Sequence, residues 1–115
     1  MFLMPSLFEP CGLNQIYSLR YGTLPIVRAA GGLDDTIVNY DAVHGSGNGF
    51  KFYDATAEAL YHTVLWAVEV YRNEKEAFAK MQKSAMQEHF SWEDAAAEYV
   101  KVYRFALARK NGKET

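Results

Sequence analysis

One cysteine, Cys11, stands in the whole sequence, so no disulfide can form within the chain. The fold must be held by core packing, and a reducing, cytoplasmic setting is the expectation. An excess of either charge is also missing: 12 basic against 14 acidic residues give a formal net charge of -2. That balance offers no electrostatic case for nucleic acid or for an anionic membrane surface as a partner. No apolar run approaches the roughly 20 residues that span a bilayer. The opening MFLMPSLF has no basic stretch and no small-residue cleavage site, so it does not read as a signal peptide. It reads as a strand entered in mid-fold, which raises the expectation of a piece of a larger protein. The three histidines, His44, His62 and His89, share no metal-ligand spacing, and neither a metal nor a cofactor is expected. There is no internal repeat.

What is present suits a packed α/β domain. Half of the 115 residues are hydrophobic and 15% are aromatic, enough to bury a core. Residues 1–53 are punctuated by Gly, Pro, Asp and Asn. Phe2 to Met4 is an apolar run stopped by Pro5, consistent with a buried strand end. Leu13 to Tyr21 predicts a helix with Leu13, Ile16, Tyr17 and Tyr21 on one face and Gly22 as its stop. Leu24 to Val27 predicts a second strand, closed by Gly31-Gly32. Leu33 to Val38 suits a short helix or turn, HGSGNG is loop composition, and GFKFY alternates like a strand. The order β-α-β-turn-β is that of a parallel sheet.

Residues 54–110 read as helical. Asp54 or Thr56 can cap a helix with Leu60, Tyr61, Val64, Leu65, Val68 and Tyr71 as its apolar stripe. A helix from Glu74 to about His89 carries Phe78, Met81 and Ala85 on one side. Ser91 and Asp94 then form a capping box for a last helix with Trp92, Ala95, Ala96, Tyr99, Val102, Tyr103, Ala106 and Leu107 along it. Its basic last turn suits the helix dipole. The tail NGKET is expected to fray.

The stretch FEPCGLN carries chemistry. A helix entered through a glycine turn presents free backbone N–H groups, here those of Gly12, Leu13 and Asn14, which make an anion site. Glycine lets a phosphate approach the backbone. Glu9 lies just upstream, at the carboxyl end of a strand, where open α/β sheets bind ligands. A carboxylate beside a phosphate site is out of place unless it faces a sugar hydroxyl, or positive charge developing at a sugar carbon. A phosphate-linked sugar satisfies both features. The plainer alternative is that Glu9 caps or pairs. Cys11 has no evident base beside it and reads as a small packing residue rather than a nucleophile. Tyr99, Tyr103 and Trp92 read as core or interdomain packing rather than a sugar platform. Lys101, Arg104, Arg109 and Lys110 read as a solvated helix end.

The segment PSLFEPCGLNQIYSLRYGTLPIVRAAGGLDDTI closely resembles the donor-binding signature of bacterial glycogen synthases and plant starch synthases. The resemblance continues through GNGFKFYDATAEAL and FSWEDAAAEYVKVYR, covering nearly the whole chain. It implies a retaining glucosyltransferase of the GT-B fold. Such an enzyme moves glucose from ADP-glucose or UDP-glucose to an α-1,4-glucan without a metal. This chain would be part of the C-terminal domain, a partial Rossmann-like sheet with C-terminal helices. By the resemblance, Glu9 contacts the donor glucose and stabilises its transition state. Cys11 and Gly12 lie against the glucose hydroxyls, and Leu13 and Asn14 begin the helix that holds the diphosphate. Many relatives have threonine at the Asn14 position. Other GT-B enzymes carry a second glutamate eight residues after the first; here Tyr17 stands there, as in the starch and glycogen synthase branch. Gly31, Gly32, Asp35 and Thr36 match a loop beneath the nucleotide.

Several family features have no counterpart in the 115 residues. These are the amino-terminal domain with its lysine-glycine-glycine motif and acceptor groove, and the arginine and lysine that neutralise the leaving diphosphate. The chain is therefore expected to be inactive alone. In the family the last helix crosses to the amino-terminal domain, so self-association through its apolar face is expected here. A non-catalytic nucleotide- or glycan-binding module is the alternative reading.

Overall fold

In a computed structural model, residues 1–112 are described. The elements are β1 (Phe2–Met4), α1 (Asn14–Arg20), β2 (Pro25–Arg28), α2 (Gly32–Thr36), β3 (Phe50–Phe52), α3 (Ala57–Asn73), α4 (Lys75–Gln87) and α5 (Trp92–Lys110). The three strands form one parallel sheet in the order β1-β2-β3, with Leu3 opposite Ile26 and Val27 opposite Lys51. Parallel neighbours need crossover connections, and α1 and α2 supply them. The expected mixed α/β fold is the one observed, with element ends within a residue or two of the positions read from the sequence. Of the tail expected to fray, residues 113–115 lie outside the described ones.

The middle strand is the most enclosed. Pro25, Ile26 and Val27 are buried there, and Leu24, Phe50, Leu33, Ile37 and Leu19 close around them. Helix α1 lies on β1 and β2, α3 on β2 and β3, and α4 bridges α1 and α3. An aromatic trio fastens α3 to the sheet. The Trp66 ring meets Phe50 edge-on at 5.0 Å between centroids, and Tyr40 lies 5.9 Å from Phe50 and 6.0 Å from Trp66. Such pairs add to what area burial alone contributes.

The caps are as expected at two helices. Thr56 Oγ1 accepts the Ala59 N–H at 3.1 Å, and Ser91 Oγ accepts the Asp94 N–H at 3.3 Å. Each satisfies a donor that the first helical turn would otherwise leave free.

Two helix faces differ from expectation. In α1 the buried residues are Gln15, Ser18 and Leu19, whereas Leu13, Tyr17 and Tyr21 are exposed. Ile16 and Tyr17 instead line a groove of about 360 Å³ with Arg20, Glu88, His89 and Phe90. In α3 the buried line is Thr63, Ala67 and Val70, while Tyr61, Leu65 and Tyr71 are exposed. Small residues face inward there because the helix lies close against the sheet. Phe78, Met81 and Ala85 of α4 are buried as expected. Helix α5 buries no residue, so its aromatic stripe is uncovered among the described residues.

Candidate functional site

Residues 5–13 leave the carboxyl end of β1 and lead into α1. Such a loop needs its carbonyls satisfied from outside, since it has no ladder of its own. Three elements do this. Arg28, at the end of β2, donates from Nη1 to the Ser6 and Leu7 carbonyls at 3.2 and 3.1 Å. The Gly32 N–H, at the start of α2, is shared between the Glu9 and Pro10 carbonyls at 3.2 Å each. Gln15, inside α1, donates from Nε2 to the Cys11 and Gly12 carbonyls at 3.0 and 3.1 Å.

The glycines make this approach possible. A Cβ on Gly31 would overlap the Glu9 carbonyl, and one on Gly32 would overlap the Cys11 carbonyl. Gly31 has φ of 47°, and Gly12, at the turn into the helix, has φ of 71°, a region costly for residues with a side chain. The Gly-Gly pair is therefore a seat on which the FEPCG loop rests.

Glu9, Cys11, Gly12, Leu13 and Asn14 all lie on this one loop and the start of α1. Glu9 is half-buried, Cys11 and Asn14 are exposed, and Leu13 is 59% exposed. The Glu9 carboxylate makes no hydrogen bond or ion pair among the described residues, unlike Asp34, which pairs with Lys51 at 2.5 Å. The plain role for Glu9, capping or pairing, has no partner there to support it. The N–H groups of Gly12, Leu13 and Asn14 likewise meet no acceptor among the described residues, and α1 has no side-chain cap. Donors and a carboxylate without partners among the described residues thus share one loop at the carboxyl edge of the sheet. No group of three or more His, Cys, Asp or Glu side chains placed to hold a metal occurs among the described residues.

Sequence reasoning missed Gln15 and Arg28. Both act on carbonyls, and backbone acceptors leave no mark in a residue pattern. The one available signal was a polar residue on the sheet-facing side of α1. Thr36, assigned to the loop beneath the site, does meet it: Gln15 Nε2 lies 3.3 Å from its Oγ1. Asp35 points to solvent.

No family model matches the chain. Individual proteins do. It is 55% identical over 111 residues to glycogen synthase 1 of Geobacter sulfurreducens, covering 96% of this chain and 22% of that protein. Glycogen synthase of Koribacter versatilis is 57% identical over 106 residues, covering 92% of this chain and again 22% of that protein. The homologues of this chain are glycogen synthases. It spans about a fifth of their length, 22% in each case. Among solved structures, the catalytic domain of starch synthase IV from Arabidopsis thaliana, bound to ADP and acarbose, superposes with a TM-score of 0.82. It is 32% identical, over 94% of this chain and 22% of that one. Sucrose-phosphate synthase from Thermosynechococcus elongatus gives 0.60 at 27% identity, over 93% and 25%. The glycogen synthase homologue thus has the fold of the matching part of a GT-B glycosyltransferase. No helix among the described residues is long and apolar enough to cross a membrane.

Proposed function

We propose that this chain forms part of the donor side of a retaining glucosyltransferase. That enzyme transfers glucose from ADP-glucose or UDP-glucose to the non-reducing end of an α-1,4-glucan. The observation that carries the reading is the FEPCGLN loop, on which the N–H groups of Gly12, Leu13 and Asn14 and the Glu9 carboxylate have no partner among the described residues. The ADP bound in the starch synthase IV structure is consistent with that donor class. Residues 1–53 form the donor-site segment and 54–110 the helices that brace it, within one domain of a larger protein. The acceptor groove and the cations that meet the diphosphate come from outside this chain.

In this reading catalysis is positioning and electrostatics rather than proton transfer. The backbone N–H groups hold the diphosphate, and their charge complementarity rises as the leaving group gains negative charge. Glu9 bonds a glucose hydroxyl and sets negative charge beside the anomeric carbon, where positive charge develops. Cys11 and Gly12 supply backbone against the sugar, with the thiol a bystander.

The test is Glu9→Gln in the full-length polypeptide. Glutamine keeps the size and one acceptor, so donor binding measured by titration should change little. Removing one electrostatic stabiliser of the transition state lowers kcat by about a hundred- to a thousandfold. Parental turnover in Glu9→Gln would make Glu9 a structural residue. Donor binding without any turnover in the parent would favour the non-catalytic module.

A further inference from the structure

We propose that Gln15 is the positioning residue that aims the donor-holding N–H groups of Gly12 and Leu13. The proposal rests on the donor-loop reading above and adds the group that sets the loop's geometry.

Gln15 lies in the first turn of α1, yet it has no exposed surface. A buried amide is unfavourable unless its polar atoms are bonded. Its nitrogen is well served. Besides the Cys11 and Gly12 carbonyls at 3.0 and 3.1 Å, it lies 3.3 Å from Thr36 Oγ1. That hydroxyl donates its own proton to the Gly32 carbonyl at 2.5 Å, so toward Gln15 it can only accept. With three acceptors around one atom, the atom must be the nitrogen, and the amide has a single orientation. Its oxygen is then left without a partner among the described residues, buried against Gly12. A Cβ at Gly12 would stand 2.6 Å from that oxygen, so Gly12 makes room for the amide.

A side chain half-satisfied in the core calls for a reason beyond packing. The geometry of the peptide unit supplies one. In a planar trans peptide the C=O and the following N–H point in opposite directions. No peptide bond among the described residues is cis. When Gln15 draws the Cys11 carbonyl inward, the Gly12 N–H must point outward. When it draws the Gly12 carbonyl inward, the Leu13 N–H must do the same. These are two of the three donors left free at the site. Through Thr36 the same amide also references the loop to α2, whose Gly32 seats it from below.

The experiment uses ADP titration and donor kinetics on the full-length polypeptide, with Gln15→Leu and Gln15→Glu checked by circular dichroism. Leucine has similar bulk and no donor. Losing aim at two donors should weaken ADP binding about tenfold or more. In Gln15→Glu the carboxylate faces carbonyl oxygens and repels them, but its protonated form regains one O–H donor. The ratio of its ADP affinity to the parent's should therefore rise as pH falls from about 8 to about 6, since burial against acceptors raises a carboxyl pKa. A merely space-filling Gln15 would give a flat ratio. A folded Gln15→Leu that binds ADP as the parent does overturns the proposal, as does a flat ratio in Gln15→Glu. If Gln15→Leu fails to fold, the pH ratio decides alone. Parental turnover in Glu9→Gln beside weakened ADP binding in Gln15→Leu would overturn the role given to Glu9 and support this proposal. An impaired Glu9→Gln beside an unaffected Gln15→Leu would overturn this proposal only.

Discussion

Adding one methyl group at three glycines separates conformational strain from steric collision in the loop's seat. Gly45 has φ of 60°, and the nearest atom to a Cβ there is Lys80 Nζ at 3.6 Å. Gly45→Ala therefore pays only for the left-handed backbone, about 1–2 kcal/mol. Gly32 has an ordinary φ, but its Cβ would overlap the Cys11 carbonyl, which is backbone and cannot swing aside. Overpacking of that kind costs about 1–3 kcal/mol. The displaced loop also loses the Gly32 N–H shared by the Glu9 and Pro10 carbonyls, worth about 1 kcal/mol more. Gly32→Ala should then cost about 2–4 kcal/mol. Gly31→Ala meets both penalties, with φ of 47° and a collision with the Glu9 carbonyl, and should cost more than either. At roughly 4 °C per kcal/mol, Gly32→Ala should melt about 8–16 °C below the parent and Gly45→Ala about 4–8 °C below. Thermal and urea unfolding of the chain measure this. If Gly32→Ala unfolds with or above Gly45→Ala, the FEPCG loop does not rest on the start of α2 and the site's architecture is wrong.

The 115-residue chain incubated alone with ADP-glucose and glycogen should release no nucleotide above background; release that depends on Glu9 would refute this. Tyr40 donates to Glu74 Oε2 at 2.7 Å, and that bond, with burial, pushes its pKa from 10.0 up to about 12. A raised value means the stabilisation is complete below about pH 10 and is lost as pH climbs toward 12; urea midpoints of Tyr40→Phe should show less alkaline loss than the parent, and equal slopes would sink the argument. Trp92, Tyr99, Tyr103 and Leu107 of α5 are all more than half exposed, so the chain should self-associate in sedimentation or bind a hydrophobic dye. A monomer that binds no dye would count against it.

Local rules sufficed for much of this protein. Three short apolar runs between Gly and Pro signals became three parallel strands, and Thr56 and Ser91 cap the helices where their spacing placed them. The donor-loop residues needed no topology to be gathered, since Glu9 through Asn14 are contiguous. Tertiary structure alone decided which faces are covered. Periodicity identified the apolar sides of α1 and α3, but burial depends on what lies opposite. The sheet received Gln15, Ser18 and Leu19 from α1 and small residues from α3. It also decided how the loop is held. Arg28 reaches 22 residues back to Ser6, and Gln15 reaches 21 residues forward to Thr36. Such bonds form between a side chain and whatever acceptor the fold brings within 3 Å or so. The sequence specifies the donor; only the packed chain specifies the carbonyl it meets.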